Sequence, residues 1–172
     1  RQDDELQTLR AGGPAEKPPY SFLLLDSLHE ELAREHARRG GAEAELDTAK
    51  RFLDSVRRTH EEADLDQAVK MMHEAIGLDP EFAGAHATLG RCYVLYAQGW
   101  GGAENFVLAE RSLKHALAAD PTIVDARLQM VYVDLHHGDK DKARARVAEL
   151  LREEPDDPAV LFVAGMLNRL DG

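Results

Sequence analysis

The sequence predicts an all-α fold, a solenoid of antiparallel helix pairs, and three observations carry that prediction. The same helix exit is written three times: Ala75-Ile76-Gly77-Leu78-Asp79 stands before Pro80, Ala116-Leu117-Ala118-Ala119-Asp120 before Pro121, and Leu150-Leu151-Arg152-Glu153-Glu154 before Pro155. Those prolines recur at intervals of 41 and 34 residues, so one unit is longer than the other. Ala, Leu, Glu and Arg, all strong helix formers, are abundant, and no Val/Ile/Thr-rich run alternates as a strand would. With 172 residues, 44% of them hydrophobic and 6% aromatic, the chain is long enough for one domain with a core of small and aliphatic side chains.

Residues 1–19 are polar and contain Gly12-Gly13-Pro14 and Pro18-Pro19, which reads as a loosely held leader. A helix over 20–39 follows, capped by Ser21, apolar at Leu24, Leu25, Leu28 and Leu32, and ended by the glycine pair Gly40-Gly41. Its apolar face has two possible seats, against the next helix or in the groove of the array; the short connection favours the first. The second helix, 42–62, carries Leu46, Ala49, Phe52, Leu53 and Val56 on one face at a 3.6-residue period. Further helices are expected over 65–78, 82–98, 104–118, 123–136, 140–153 and 158–170, the prolines preventing continuation after the third, fifth and seventh. Gly138 supplies one turn, and Gln98-Gly99-Trp100-Gly101-Gly102 forms a longer, glycine-rich connection holding the sole Trp. The last helix displays Leu161, Phe162, Met166, Leu167 and Leu170 with no second helix to cover them, a place either for a further helix of the full protein or for end-to-end pairing into a homo-oligomer.

From about Ala49 to the C-terminus these residues resemble the tetratricopeptide-repeat family. Leu89-Gly90-Arg91-Cys92-Tyr93 matches the Leu-Gly-x-x-Tyr element of its first helices without substitution. The second-helix element recurs as Ala68, Met72 and Ala75, then Ala109, Leu113 and Ala116, then Ala143, Val147 and Leu150. Ser55-Val56 with Thr59, and Met130-Val131, depart from it in the outer repeats. The resemblance implies a right-handed superhelix in a single domain, 20–172: an extra helix at 20–41, repeats at 42–80, 81–121 and 122–155, and a half repeat at 156–172. The stretch from Phe82 to Tyr93, followed by the Gly/Trp insertion and Ala116 to Pro121, also resembles tetratricopeptide segments of bacterial adenylate-cyclase-like and TolB-like signalling proteins.

Registered on the family pattern, the first helices line a concave groove with Leu53, Arg57 and His60; Ala87, Arg91, Val94 and Leu95; Leu128, Tyr132, Leu135 and His136; and Phe162, Met166 and Arg169. Arg57 and Arg91 fall at equivalent places in consecutive repeats. An apolar groove with guanidinium groups suits a protein or peptide segment with hydrophobic anchors and an acidic group. The implied function is non-enzymatic protein-protein interaction; the alternative is a ligand-sensing regulatory module of a larger bacterial signal-transduction protein. Family members that clamp a chaperone C-terminal carboxylate use Lys and Asn in these helices, and this chain lacks those asparagines. Trp100 is either a loop aromatic folded onto a helix edge or an anchor for the partner.

Other chemistries find little purchase. A net charge of −11 argues against nucleic acid, which demands a cationic stripe. A single cysteine, Cys92, excludes an internal disulfide, and its place inside a helix pattern predicts an inert packed thiol. His29-Glu30 and His73-Glu74 open like a metalloprotease helix motif, but Ala33 and Gly77 stand where the second His belongs. No Gly-x-Ser-x-Gly elbow or phosphate-loop signature occurs, so no catalytic residue, metal or cofactor is expected. No apolar run reaches the roughly 18 residues of a membrane span. The chain begins with Arg, which reads as a fragment or processed form, and the expected compartment is the cytoplasm.

Overall fold

The computed structural model describes residues 20–171, with side chains described for residues 30–170; the expected leader at 1–19 lies outside them. Among the described residues there are seven helices: α1 (Tyr20–Thr59), α2 (Glu62–Leu78), α3 (Ala83–Gly99), α4 (Ala103–Ala119), α5 (Val124–His136), α6 (Lys140–Glu153) and α7 (Pro158–Asp171). No described helix is long and apolar enough to cross a membrane. Two compact units divide the chain, residues 1–37 and residues 38–172. In the first, Glu30 pairs with Arg34 one turn on, at 3.1 Å, and Leu32 is exposed. Everything below concerns the second unit.

One expectation is corrected here. The helix stop at Gly40-Gly41 does not form; α1 runs through both glycines, so the tight turn on which an antiparallel pairing of 20–39 with 42–62 rested is absent. A glycine stop needs a residue in the left-handed region, and among the described residues only Gly101, Gly102 and Gly138 are glycines of positive φ. Two glycines inside a helix cost about 1 kcal/mol each. Local contacts offset this. Arg39 lies 3.4 Å from Asp79 and 4.9 Å above the Phe82 ring, and a Cβ on Gly41 would sit 3.2 Å from Leu78 Cδ1.

The core is a chain of three clusters, each tying a helix pair to the first helix of the next. Leu53 and Val56 of α1, Leu65, Ala68, Met72 and Ala75 of α2, and Leu89 and Cys92 of α3 make the first. Ala87 and Val94 of α3 turn the other way and meet Ala109, Leu113 and Ala116 of α4 and Ala126, Met130 and Val133 of α5. Leu128 and Val131 of α5 then join Ala143, Val147 and Leu150 of α6 to Val160, Val163 and Leu167 of α7. The small residues sit where helices approach: a Cβ on Gly90 would lie 2.6 Å from two carbons of Leu113.

The repeated exits have one geometry. The N–H groups of Asp79, Asp120 and Glu154 donate to the carbonyls of Ala75, Ala116 and Leu150 at 2.9, 2.8 and 2.7 Å, and the proline of each turn follows at once. The Asp120 carboxylate also accepts from Thr122 N–H and Oγ1, which holds it below the usual carboxylate range. Asp157 Oδ1 accepts from the N–H groups of Ala159 and Val160 and starts α7, whose first residue, Pro158, needs no donor. Between α5 and α6, Asp134 is buried, with Lys142 Nζ 2.8 Å from one oxygen and Arg146 Nε 2.5 Å from the other.

Candidate partner-binding groove

The first helices of the pairs, the C-terminal part of α1 with α3 and α5, together with the unpaired α7, enclose three adjoining hollows. One of about 420 Å³ is lined by Lys50, Leu53, Asp54, Arg57, Thr88, Arg91 and Asp125. A second, of about 330 Å³, shares Arg57, Arg91 and Asp125 and adds Leu95, Gln98, Leu128, Tyr132 and Phe162 among its walls. The third, about 460 Å³, reaches from Arg57 over Val56, His60, Leu95 and Gln98 to Trp100. Shared residues make them one trough. Its floor is apolar because the alternation of each first helix that builds the core also leaves Leu53 and Leu128 at the trough's base, at 2% and 4% exposure.

Arg57 and Arg91 do converge. Neither is bare: Arg57 Nη1 lies 3.6 Å from Asp54 Oδ1, and Arg91 Nη1 lies 3.9 Å from Asp125 Oδ2. The lining around them is therefore more polar than the sequence suggests, with Lys50, Thr88 and Gln129 adding hydrogen-bonding groups. Asp54 could have been found, being three residues before Arg57 on one helix face. Asp125 could not, because it reaches Arg91 only through the stacking of α5 on α3.

The other sequence-predicted positions divide. Leu53, Arg57, His60, Arg91, Leu95, Leu128, Tyr132 and Phe162 line the trough. Ala87 and Val94 do not; they are buried at 3% and 1% in the second cluster, as core. Leu135 and Met166 pack against the third cluster and lie outside the three hollows. His136 stacks on the Phe106 ring of α4 at 4.1 Å, and Arg169 is exposed on α7; both stand apart from the lining. Trp100 is folded onto a helix edge, its ring meeting Tyr96 edge-on at 6.1 Å, and it borders one end of the trough. His60, beside it, is the one described non-glycine residue of positive φ, at 56°.

Cys92 is buried, and burial pushes its thiol up to about 12, so no thiolate is available. No group of three His, Cys, Asp or Glu able to hold a metal occurs among the described residues. The trough is an elongated surface with an apolar floor and paired charges along it.

Comparison with known proteins agrees with the geometry. Residues 102–164 match the family model described as tetratricopeptide repeat. Among solved structures, the Arabidopsis OM64 TPR domain aligns at TM-score 0.58 and 17% identity, over 77% of this chain and 98% of that one. TTC0263, a thermophilic TPR protein of Thermus thermophilus, aligns at 0.57 and 25% identity, over 72% of this chain and 62% of that one. The second TPR domain of human RPAP3, determined with the HSP70 peptide SGPTIEEVD, aligns at 0.52 and 16%, over 74% and 98%. No curated protein matches the sequence. The class is that of all-α solenoids of antiparallel helix pairs. Within it, residues 102–164 match the tetratricopeptide-repeat model, and the fold is that of tetratricopeptide-repeat domains. Neither the match nor these neighbours carry the adenylate-cyclase-like or TolB-like resemblance.

Proposed function

We propose that the chain is a non-enzymatic interaction module whose trough holds a peptide segment of a partner protein, extended or helical, bearing an apolar anchor and an acidic group. The observation that carries the reading is the convergence of Arg57 and Arg91 on one hollow whose other walls include Leu95, Leu128, Tyr132 and Phe162. Their separations from Asp54 and Asp125, 3.6 and 3.9 Å, are longer than a good charge-assisted hydrogen bond. A ligand carboxylate able to approach more closely therefore competes for the same donors. The apolar anchor has a seat of its own between Val56, Leu95 and Trp100. The peptide of the RPAP3 structure joins Ile and Val to Glu, Glu and Asp, which supports the class of ligand; the missing asparagines argue against that particular clamp.

The test is selection of a displayed random-peptide library on the chain and on the double variant Arg57→Ala/Arg91→Ala, with helicity checked by circular dichroism. Peptides enriched on the wild type should pair an aliphatic or aromatic residue with Asp, Glu or a free C-terminus, and should lose binding to the folded double variant. Enrichment without acidic groups, or binding indifferent to both substitutions, would refute the proposal.

A further inference from the structure

A second hollow, of about 310 Å³, shares no lining residue with the trough. It lies between α2 and α4 over α3: His73 and Ile76 come from the first, His86, Leu89 and Tyr93 from α3, and Leu108, Arg111, Ser112 and His115 from α4. In a chain of net charge −11, no residue lining it is acidic. Every polar side chain there can donate a hydrogen bond. The groups are held rather than loose: Tyr93 Oη and His73 Nε2 are 3.4 Å apart, and the His86 and His115 rings stack at 5.3 Å. His86 Nε2 lies 2.8 Å from the Pro80 carbonyl oxygen, which fixes the proton on that nitrogen. Arg111 is exposed and takes part in no ion pair among the described residues, unlike Arg57 and Arg91.

We propose that this hollow binds a small phosphate monoester. A planar carboxylate would be satisfied by the Arg111 fork alone. Donors converging from three helices instead match the three terminal oxygens of a tetrahedral dianion, with Arg111 and Ser112 on one bank, His73 on the other and Tyr93 on the floor. Ile76, Leu89 and Leu108 give the organic part of the ester an apolar wall. The overall charge repels anions at long range, so binding depends on these local donors and on the screening of the remainder by salt. This inference is independent of the groove.

Phenyl phosphate, inorganic phosphate and benzoate, each titrated at neutral pH into the whole isotope-labelled chain and followed by NMR, separate the possibilities. Phenyl phosphate should shift the ring signals of His73, His86 and His115 and leave those of His60 unmoved. Arg111→Ala, a surface change, should weaken it about ten-fold or more, the loss expected for one charge-assisted hydrogen bond. His115→Ala supplies a second variant at an exposed position. Inorganic phosphate shifting the same signals, even more weakly, supports the oxyanion reading. Benzoate binding as well as phenyl phosphate, no shift at about 10 mM ligand, a range in which even millimolar sites fill, or unchanged affinity in both variants would overturn it.

Discussion

Gly90 is the position where the packing of this solenoid can be tested most sharply, through Gly90→Ala. In an open helix that substitution stabilises by about 0.8–1 kcal/mol, because glycine loses more backbone freedom on folding. At Gly90 the new methyl would sit 2.6 Å from both Cγ and Cδ2 of Leu113 and 3.3 Å from the Ala109 carbonyl oxygen. Leu113 is fully buried and cannot swing aside into solvent. Forcing a methyl into a packed core costs about 1–3 kcal/mol, and two contacts this short against an immobile partner place the cost in the upper part of that range. The net expectation is destabilisation by about 1–2 kcal/mol, or a fall in Tm of roughly 3–6 °C for a domain of this size. Gly165→Ala is the internal control: it lies within α7 with nothing within 4 Å of the added methyl, so the propensity gain stands alone and Tm should rise. Thermal melts followed at 222 nm on the three proteins give the answer. If Gly90→Ala raises Tm as Gly165→Ala does, α3 and α4 do not approach as described. In a cycle with Leu113→Ala, the two costs should be less than additive, since the smaller residue makes room.

Four further outcomes follow from the same geometry. Asp134→Ala should cost about 1.5–3 kcal/mol in chemical denaturation, the value of hydrogen bonds to charged groups; it stays below the cost of breaking a fully buried pair because Lys142 and Arg146, at 52% and 28% exposure, can turn to water. Cys92 should be silent to a thiol reagent in the native protein and react at a rate set by unfolding, whereas fast labelling at pH 8 would contradict its burial. The Glu153 carboxylate is held below its usual range chiefly by its hydrogen bond with Arg127, so its contribution is present above the ordinary carboxylate range and lost as pH falls through the depressed value; Glu153→Gln should flatten that acid-side loss in pH-dependent melts. Trp100 is the sole tryptophan and borders the trough, so a groove peptide should shift its emission while phenyl phosphate leaves it unchanged.

Much of the fold was legible because the array repeats itself, so each exit, proline and small-residue pair could be checked against its copies. The Gly40-Gly41 pair had no copy. Read alone, two glycines look like a stop, yet the stripe from Ala42 through Leu46, Ala49, Leu53 and Val56 anchors the helix beyond them in the first cluster. The groove was half legible for a related reason. A first helix in a solenoid packs against its own partner on one side and the next pair on the other, so most of its circumference is buried. A position counted from the family register can then be wrong by one face, as Ala87 and Val94 were, both lying in the cluster shared with α4 and α5. Tyr132 and His136, four residues apart, lie only about 40° apart around α5; they part along the axis, since His136 ends the helix and stacks on Phe106. Arg57, in the last turn of α1, and Arg91, in the middle of α3, both line the trough because they stand at equivalent places in consecutive repeats. Their acidic neighbours reveal the remaining difficulty: Asp54 is a local partner, readable at three residues' distance, whereas Asp125 comes from the following repeat. Charges that meet through stacking leave no local sequence signature, so the electrostatics of a repeat groove is a property of neighbouring repeats together. It follows that exchanging α5 for the first helix of another repeat should remove the acidic partner of Arg91 while leaving the Asp54–Arg57 pair intact, although the two arginines share a trough.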